Sequence, residues 1–301
     1  MEKINFKHSI IFFNFCILVS PIYLVLNFEP VTFCLFLILI LGISHGALDN
    51  IKGAKLIKFL GYNKTIFFYL AYILISLLII IFWVVFPNSV LLLFLVVAAY
   101  HFGKEDTVFP YRGKFFISEC LFFLKGSPVI IAPLLFKRDE TNEIFRVLNF
   151  NVFESRFFSD EFLIILLCLG FLSSLYISKK ENLNLKGVMI MDFFSLIILN
   201  FFLSPVLAFT LYFCFLHSIR HSISLIFELN KSFKTGFKKF ISKAIPLTFT
   251  TATIFLFAIY FLNNFYKLDE AIYKVIFIGL ASLTFPHILL EYLLEKNEKR
   301  T

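Results

Sequence analysis

The sequence predicts an all-α fold, a polytopic bundle of about ten transmembrane helices, and three observations predict it. Apolar residues make up 59% of the 301 residues and charged residues only 16%, which is too little polar surface to coat a soluble globule. The mean hydropathy is +0.88. The apolar residues also gather into runs close to the roughly 20 residues that a helix needs to cross a bilayer, with short basic clusters between them. A net charge of +8 in a soluble chain would suggest nucleic acid. Here the lysines and arginines sit between apolar runs, as orientation in a lipid bilayer demands, so no nucleic-acid partner is expected.

The runs fall in order. The first, 8–28, follows a short basic start, leads to no small-residue cleavage site and carries Pro21, so it reads as a retained helix. The second, 30–49, opens after Glu29-Pro30, and the third is 65–86. Pro87-Asn88 opens 89–106, which is followed by 115–136, 161–178 and 187–203. Ser204-Pro205 opens 205–228, and 244–265 and 270–294 complete the set. The basic clusters are Lys3 and Lys7; Lys52, Lys55, Lys58 and Lys64; Lys104, Arg112 and Lys114; Lys179, Lys180 and Lys186; the five lysines between Lys231 and Lys243; and Lys296, Lys299 and Arg300. Every second connection is therefore basic, which puts both termini in the cytoplasm of a multi-pass cell-membrane protein. The connection 137–160, where acids offset Lys137, Arg138, Arg146 and Arg156, reads as an outer loop. Lys125-Gly126-Ser127-Pro128 falls inside the fifth run and predicts a kink or two half-helices, with Lys125 either lining a polar cavity or adjusting the break. No repeat and no soluble domain appears, so residues 1–301 form one transmembrane domain.

Cys16, Cys34, Cys120, Cys168 and Cys214 lie in apolar runs without CxxC spacing and read as small buried side chains outside any disulfide framework. The 45 phenylalanines suit a tunnel for a polyene, yet lipid-facing aromatics in a Phe-, Ile-, Lys- and Asn-rich chain are the plainer account.

Five of the six histidines lie inside these runs, and imidazole in hydrocarbon is costly enough to suggest function. His217 and His221 stand four residues apart and share a helical face. On the expected topology His45, His101, His217, His221 and His287 all occur late in helices running outside to inside. At about 1.5 Å per residue they lie roughly 18 to 26 Å down those helices, at similar depth. That agreement predicts one metal site. Asp49, Glu105 and Glu291 each follow a histidine by four residues; they read either as carboxylates that hold a ligand ring or as acids marking where a helix meets water, and Glu119 and Asp192 share that ambiguity. His8, at the start of helix 1, reads as interfacial. Arg220 points off the face of the histidine pair, toward Asp49, Asp192 or a lipid phosphate. Neutral imidazoles suit zinc, copper or iron; a lipid-borne substrate with no hydrolysable bond favours iron and oxygen, and the histidines are too few for a di-iron desaturase.

Gly42-Ile43-Ser44-His45-Gly46-Ala47-Leu48-Asp49, Tyr100-His101-Phe102-Gly103 with Asp106, His217-Ser218-Ile219-Arg220-His221, and Phe285-Pro286-His287 resemble the motifs of the bacteriorhodopsin-related-protein and Brp-like family of bacterial and archaeal β-carotene 15,15'-dioxygenases. The motifs run in family order across nearly the whole chain. The resemblance implies a membrane enzyme that uses Fe(II) and O₂ to split the central double bond of all-trans-β-carotene into two molecules of all-trans-retinal. It implies His45, His101, His217 and His221 as the iron ligands. His287 is expected behind them or facing substrate, with Asp49 and Glu105 as outer supports and Gly103 and Asp106 shaping the helix exit. A retinal-accepting rhodopsin is a conceivable partner on which the sequence is silent. A hydrocarbon substrate gives the membrane location a chemical reason, because it partitions into lipid. The rival from another class is a proton- or metal-coupled transporter with an intramembrane histidine site. It calls for internal repeats and polar residues along both halves of the path, whereas the outer halves of helices 2, 4 and 8 are almost wholly apolar.

Overall fold

The computed structural model describes residues 1–26, 31–62, 64–111, 113–150 and 158–298, with backbone alone at residues 26, 45, 47 and 298. The Glu29-Pro30 turn, Arg112, Arg156, Lys299 and Arg300 lie outside the described residues, as does the His45 side chain. The helices are α1 (Glu2–Leu26), α2 (Val31–Leu37), α3 (Asp49–Phe59), α4 (Ile66–Val85), α5 (Pro87–Glu105), α6 (Phe115–Gly126), α7 (Pro128–Phe136), α8 (Arg138–Val147), α9 (Asp160–Ile177), α10 (Leu183–Phe202), α11 (Pro205–Leu211), α12 (Ile219–Leu229), α13 (Phe233–Leu262) and α14 (Leu268–Glu298). The chain is an all-α polytopic membrane bundle. Faces of α4 and α13 turn large apolar side chains such as Leu70, Ile73, Leu74, Phe249, Phe257 and Tyr260 outward, a surface that fits lipid and not water.

Nine helical stretches among the described residues are long and apolar enough to cross a bilayer, against the ten expected. The second run is the difference. α2 passes into a π-helical segment, Ile38–Gly42, and then a 3₁₀ segment, Ile43–Leu48, so its apolar helix is only Val31–Gly42. A second π-helical segment, Tyr212–Ser218, joins α11 to α12 and carries His217. The two segments touch, and a Cβ on Gly42 would lie 2.6 Å from the Phe213 ring. Such wide turns re-aim side chains relative to the α-helical register and concentrate at functional sites.

Lys125-Gly126-Ser127-Pro128 proves to be a kink. Ser127 keeps right-handed helical dihedrals (φ −57°, ψ −31°), and Pro128 takes the first turn of α7, where its missing N–H costs nothing. The apolar span stays helical over Phe115–Phe136. Gly126 serves close packing: a Cβ there would lie 1.8 Å from the Ala99 carbonyl oxygen, and one on Gly103 the same distance from the Phe122 carbonyl oxygen. Backbone, and not a movable side chain, stands in the way. Gly126→Leu is therefore expected to force α6 off α5, costing at least the roughly 1–3 kcal/mol of ordinary overpacking; a thermal melt of the purified protein, and its membrane yield, check this.

In the 137–160 connection, read from sequence as a loop, the structure holds α8. Thr141, Ile144, Phe145 and Leu148 lie at helical spacing and are buried, while Asp139, Glu140, Glu143 and Arg146 face outward. The apolar stripe is too short and too diluted by charge to resemble a span. Cys16, Cys34 and Cys214 are buried, whereas Cys120 and Cys168 are exposed, and none of the five is disulfide-bonded.

A polar tie joins α1, α10 and α12. The Arg220 guanidinium donates to Asp192 at 2.5 and 3.0 Å and to the Ser9 hydroxyl at 2.8 Å, and Ser9 donates to Asp192 at 2.7 Å. Of the three partners open to Arg220 in the sequence, Asp192 is the one it meets. His8, near the start of α1, donates from Nε2 to the Phe215 carbonyl at 2.9 Å, inside the π-helical segment that carries His217.

Candidate metal centre

α5, α12, α14 and the segment Tyr212–Ser218 each deliver histidine to one place. The His101 ring centroid lies 5.3 Å from that of His217 and 5.3 Å from that of His287, and His287 lies 6.2 Å from His221. His101, His217 and His287 are buried. His45 occupies the 3₁₀ segment Ile43–Leu48, which packs against Tyr212–Ser218; its side chain lies outside the described residues. His287, expected behind the other four or facing substrate, has its ring as close to that of His101 as the His217 ring is, on a helix packed against α3 and α5.

Carboxylates hold three of the rings from behind. His217 Nδ1 lies 3.0 Å from Asp106 Oδ1, His221 Nδ1 3.2 Å from Glu105 Oε2, and His287 Nδ1 2.9 Å from both oxygens of Asp49. An Nδ1–H donated to a carboxylate fixes the tautomer and leaves Nε2 as the basic, metal-binding atom. The Nε2 atoms of all three rings are buried. Two of these acids also receive a tyrosine hydroxyl: Tyr212 donates to Asp106 Oδ2 at 2.6 Å and Tyr72 to Asp49 Oδ2 at 3.0 Å. Two histidine–aspartate–tyrosine chains thus stiffen the cluster. Asp106 as a ring anchor, Tyr72 and Tyr212 escape the sequence reading. The one cue is that each tyrosine puts a polar group into an otherwise apolar run.

Glu291 pairs with Lys52, and Lys104 pairs with Glu295 at 2.6 Å. Burial pulls the Lys52 ammonium down, but Glu291 beside it outweighs this and holds its pKa above the ordinary lysine value. Candidate ligand atoms of Asp49, His287 and Glu291 also come within 4.8 Å of one another. With Asp49 committed to His287 and Tyr72, and Glu291 to Lys52, that trio reads as support for the ring and not as a separate cation site.

Two cavities meet the cluster. An apolar cleft runs from His101 and Thr284 between α5, α7, α11 and α14 to α8. Its wall is an aromatic stack: Phe277 and Phe209 lie 6.5 Å apart, Phe209 and Phe213 5.4 Å apart at 7°, and Phe213 and the His217 ring 5.8 Å apart at 16°. Phe94, Phe102 and Phe145 complete the aromatic lining, so a few of the many phenylalanines line a tunnel while others, such as Phe249 and Phe257, are exposed on outer faces. The second cavity has a mixed lining, in which Asp106, Lys125, Asp192 and Tyr212 stand beside apolar side chains. Lys125 donates to the Gly103 carbonyl at 3.1 Å beside it.

Comparison with known proteins points the same way. A family model described as "Beta-carotene 15,15'-dioxygenase" matches residues 36–295, a stretch that holds every histidine except His8. A protein named beta-carotene 15,15'-dioxygenase, from Uncultured marine bacterium 66A03, is 30% identical over 275 residues, which cover 88% of this chain and 94% of that protein. No solved structure matches the chain.

Proposed function

The chain belongs to the beta-carotene 15,15'-dioxygenase family, and from that premise we propose that it splits the central double bond of all-trans-β-carotene with O₂ at a single Fe(II), releasing two molecules of all-trans-retinal. The observation that carries this reading is the meeting of His101, His217, His221 and His287 at the inner end of an apolar cleft. His45, His101, His217 and His221 are the ligands that the motifs imply, and the place of the His287 ring makes it an additional inner imidazole. The donor set suits iron: the imidazoles are neutral, and three of them are fixed by carboxylates so that Nε2 is the available atom. When bound, Fe(II) supplies a redox-active centre that activates O₂ beside an electron-rich double bond.

The chain's own residues do the rest. The cleft excludes water and receives a hydrocarbon, and Phe209 and Phe213, stacked in line with His217, offer a flat face along which a planar polyene lies. Each carbon of the cut bond gains one oxygen, so one O₂ accounts for both aldehydes and no external reductant is needed. A path lined in this way suits an ion poorly, which favours the enzyme over the transporter. The basic connections favour both termini on the cytoplasmic side of the cell membrane, with the shorter, irregular stretch 31–48 crossing beside the nine long ones, and retinal released into that bilayer is available to a rhodopsin.

The test is expression in a β-carotene-producing bacterium under ¹⁸O₂. Orange colour should fade, with retinal in the extract labelled in both aldehydes; unaltered pigment from correctly inserted protein would refute the reading. Asp106→Asn removes the charged acceptor behind His217 while nearly preserving shape. It is expected to lower Fe(II) affinity by about 10–100-fold, as titration of the metal-free protein would measure, with cleavage restored by excess Fe(II).

A further inference from the structure

The cleft has a far end, and one element builds it. α8 lines it with Thr141, Ile144 and Phe145, alongside Pro205 at the start of α11 and Ile276 in the first half of α14. Pro205 precedes His217 by twelve residues and Ile276 precedes His287 by eleven. At about 1.5 Å per residue, α8 therefore lies roughly 16 to 18 Å from the histidines, on the scale of one half of an extended carotenoid.

α8 is held as a fixed part would be. At its start, Arg138 donates to the Phe158 carbonyl at 2.8 Å and to Asp160 at 2.5 Å, tying it to α9. In its first turn, Thr141 donates to the carbonyls of Pro133 at 3.0 Å and Lys137 at 2.7 Å, tying it to α7. At its end, Lys274 of α14 donates to the Val147 carbonyl at 2.5 Å. Asn149, with φ +61°, closes the helix in a Schellman cap: Phe150 N–H donates to the Phe145 carbonyl and Asn149 N–H to that of Arg146, both at 2.9 Å. The Phe150 ring packs on the Phe145 ring, centroids 5.6 Å apart. An irregular loop would give way before a substrate pressing on it; a short helix pinned to three neighbours does not.

We propose that α8 is the stop that determines which double bond is cut: Ile144 and Phe145 receive the end ring of the carotenoid, so that the bond at the middle of the molecule comes to rest beside His101. The proposal rests on the cleavage reading above and adds a specificity role for residues that touch no histidine. Bond choice follows from depth, because the apolar wall offers no hydrogen bonds that would select one register of a uniform polyene.

Phe145→Ala and Ile144→Ala each deepen the cleft without altering the histidine cluster. With β-carotene as substrate, and aldehydes separated by chromatography and identified by mass, the variants are expected to give unequal pairs, one aldehyde longer and one shorter than retinal. The ratio of off-centre to central products should rise about 10-fold or more over the unaltered protein. Retinal as the sole product of either variant, at normal membrane yield, would overturn the proposal. So would loss of all cleavage in the milder Ile144→Ala at normal yield and iron content, because a stop is not needed for chemistry. If the unaltered protein makes no retinal, the cleavage reading itself has failed, which is a different result.

Discussion

His287→Ala abolishes carotene cleavage as completely as His217→Ala does: this is the expected result. The ring of His287 stands 5.3 Å from that of His101 and 6.2 Å from that of His221, buried, with Asp49 behind it. On the proposed reading, a ring so placed is a donor to the iron. A residue that merely steadied a donor would cost about 10–100-fold in metal affinity and would yield to added iron. The two roles separate in two measurements, retinal formed per membrane-inserted protein and iron retained on purification. If His287→Ala keeps more than about a tenth of normal cleavage, or regains it in excess Fe(II), His287 belongs behind the ligands after all. Asp49→Asn offers the graded comparison, since it leaves the ring in place and removes the charge of its acceptor.

The largest effect on stability is expected at Arg220. Its guanidinium is buried and bound to Asp192 and Ser9, which draws α1, α10 and α12 together. Arg220→Met leaves Asp192 as a buried carboxylate facing an apolar side chain, and breaking such a pair costs about 3–5 kcal/mol. Arg220→Met/Asp192→Leu removes both charges and should recover most of that loss, because it is the unpaired charge, and not the absence of attraction, that is costly. Thermal unfolding of the single and double variants in the same detergent decides it. A double variant no more stable than the single one would mean that Arg220 acts through packing. Arg220 stands one residue from His221, so the single variant should lose cleavage as well.

The bundle was legible because hydrophobic runs and basic connections follow from the bilayer itself. The histidine cluster was legible because residues at equal depth in parallel helices are brought level by geometry. The acids were legible only as a set. Four-residue spacing singled out Asp49 and Glu105 and set each beside the histidine of its own run, His45 and His101. Glu105 instead reaches His221, and Asp49 reaches His287. Spacing describes one helix face, whereas these bonds cross between helices and depend on how each is rotated. The π-helical segments deepen the problem, since a wide turn such as Tyr212–Ser218 shifts the face on which His217 emerges. Asp106, Tyr72 and Tyr212 take their roles from those contacts, and α8 from a stripe shorter than any span-length window.

The donor-poor cleft has a consequence for turnover. Among the described residues that line it, Thr141, Thr284 and His101 alone bear polar side-chain atoms. A hydrocarbon loses nothing on entering such a space. An aldehyde surrenders hydrogen bonds that the walls do not replace. On the proposed reading the molecule that arrives is thus held more firmly than the two that leave, and partitioning back into the surrounding lipid is the expected way out for both.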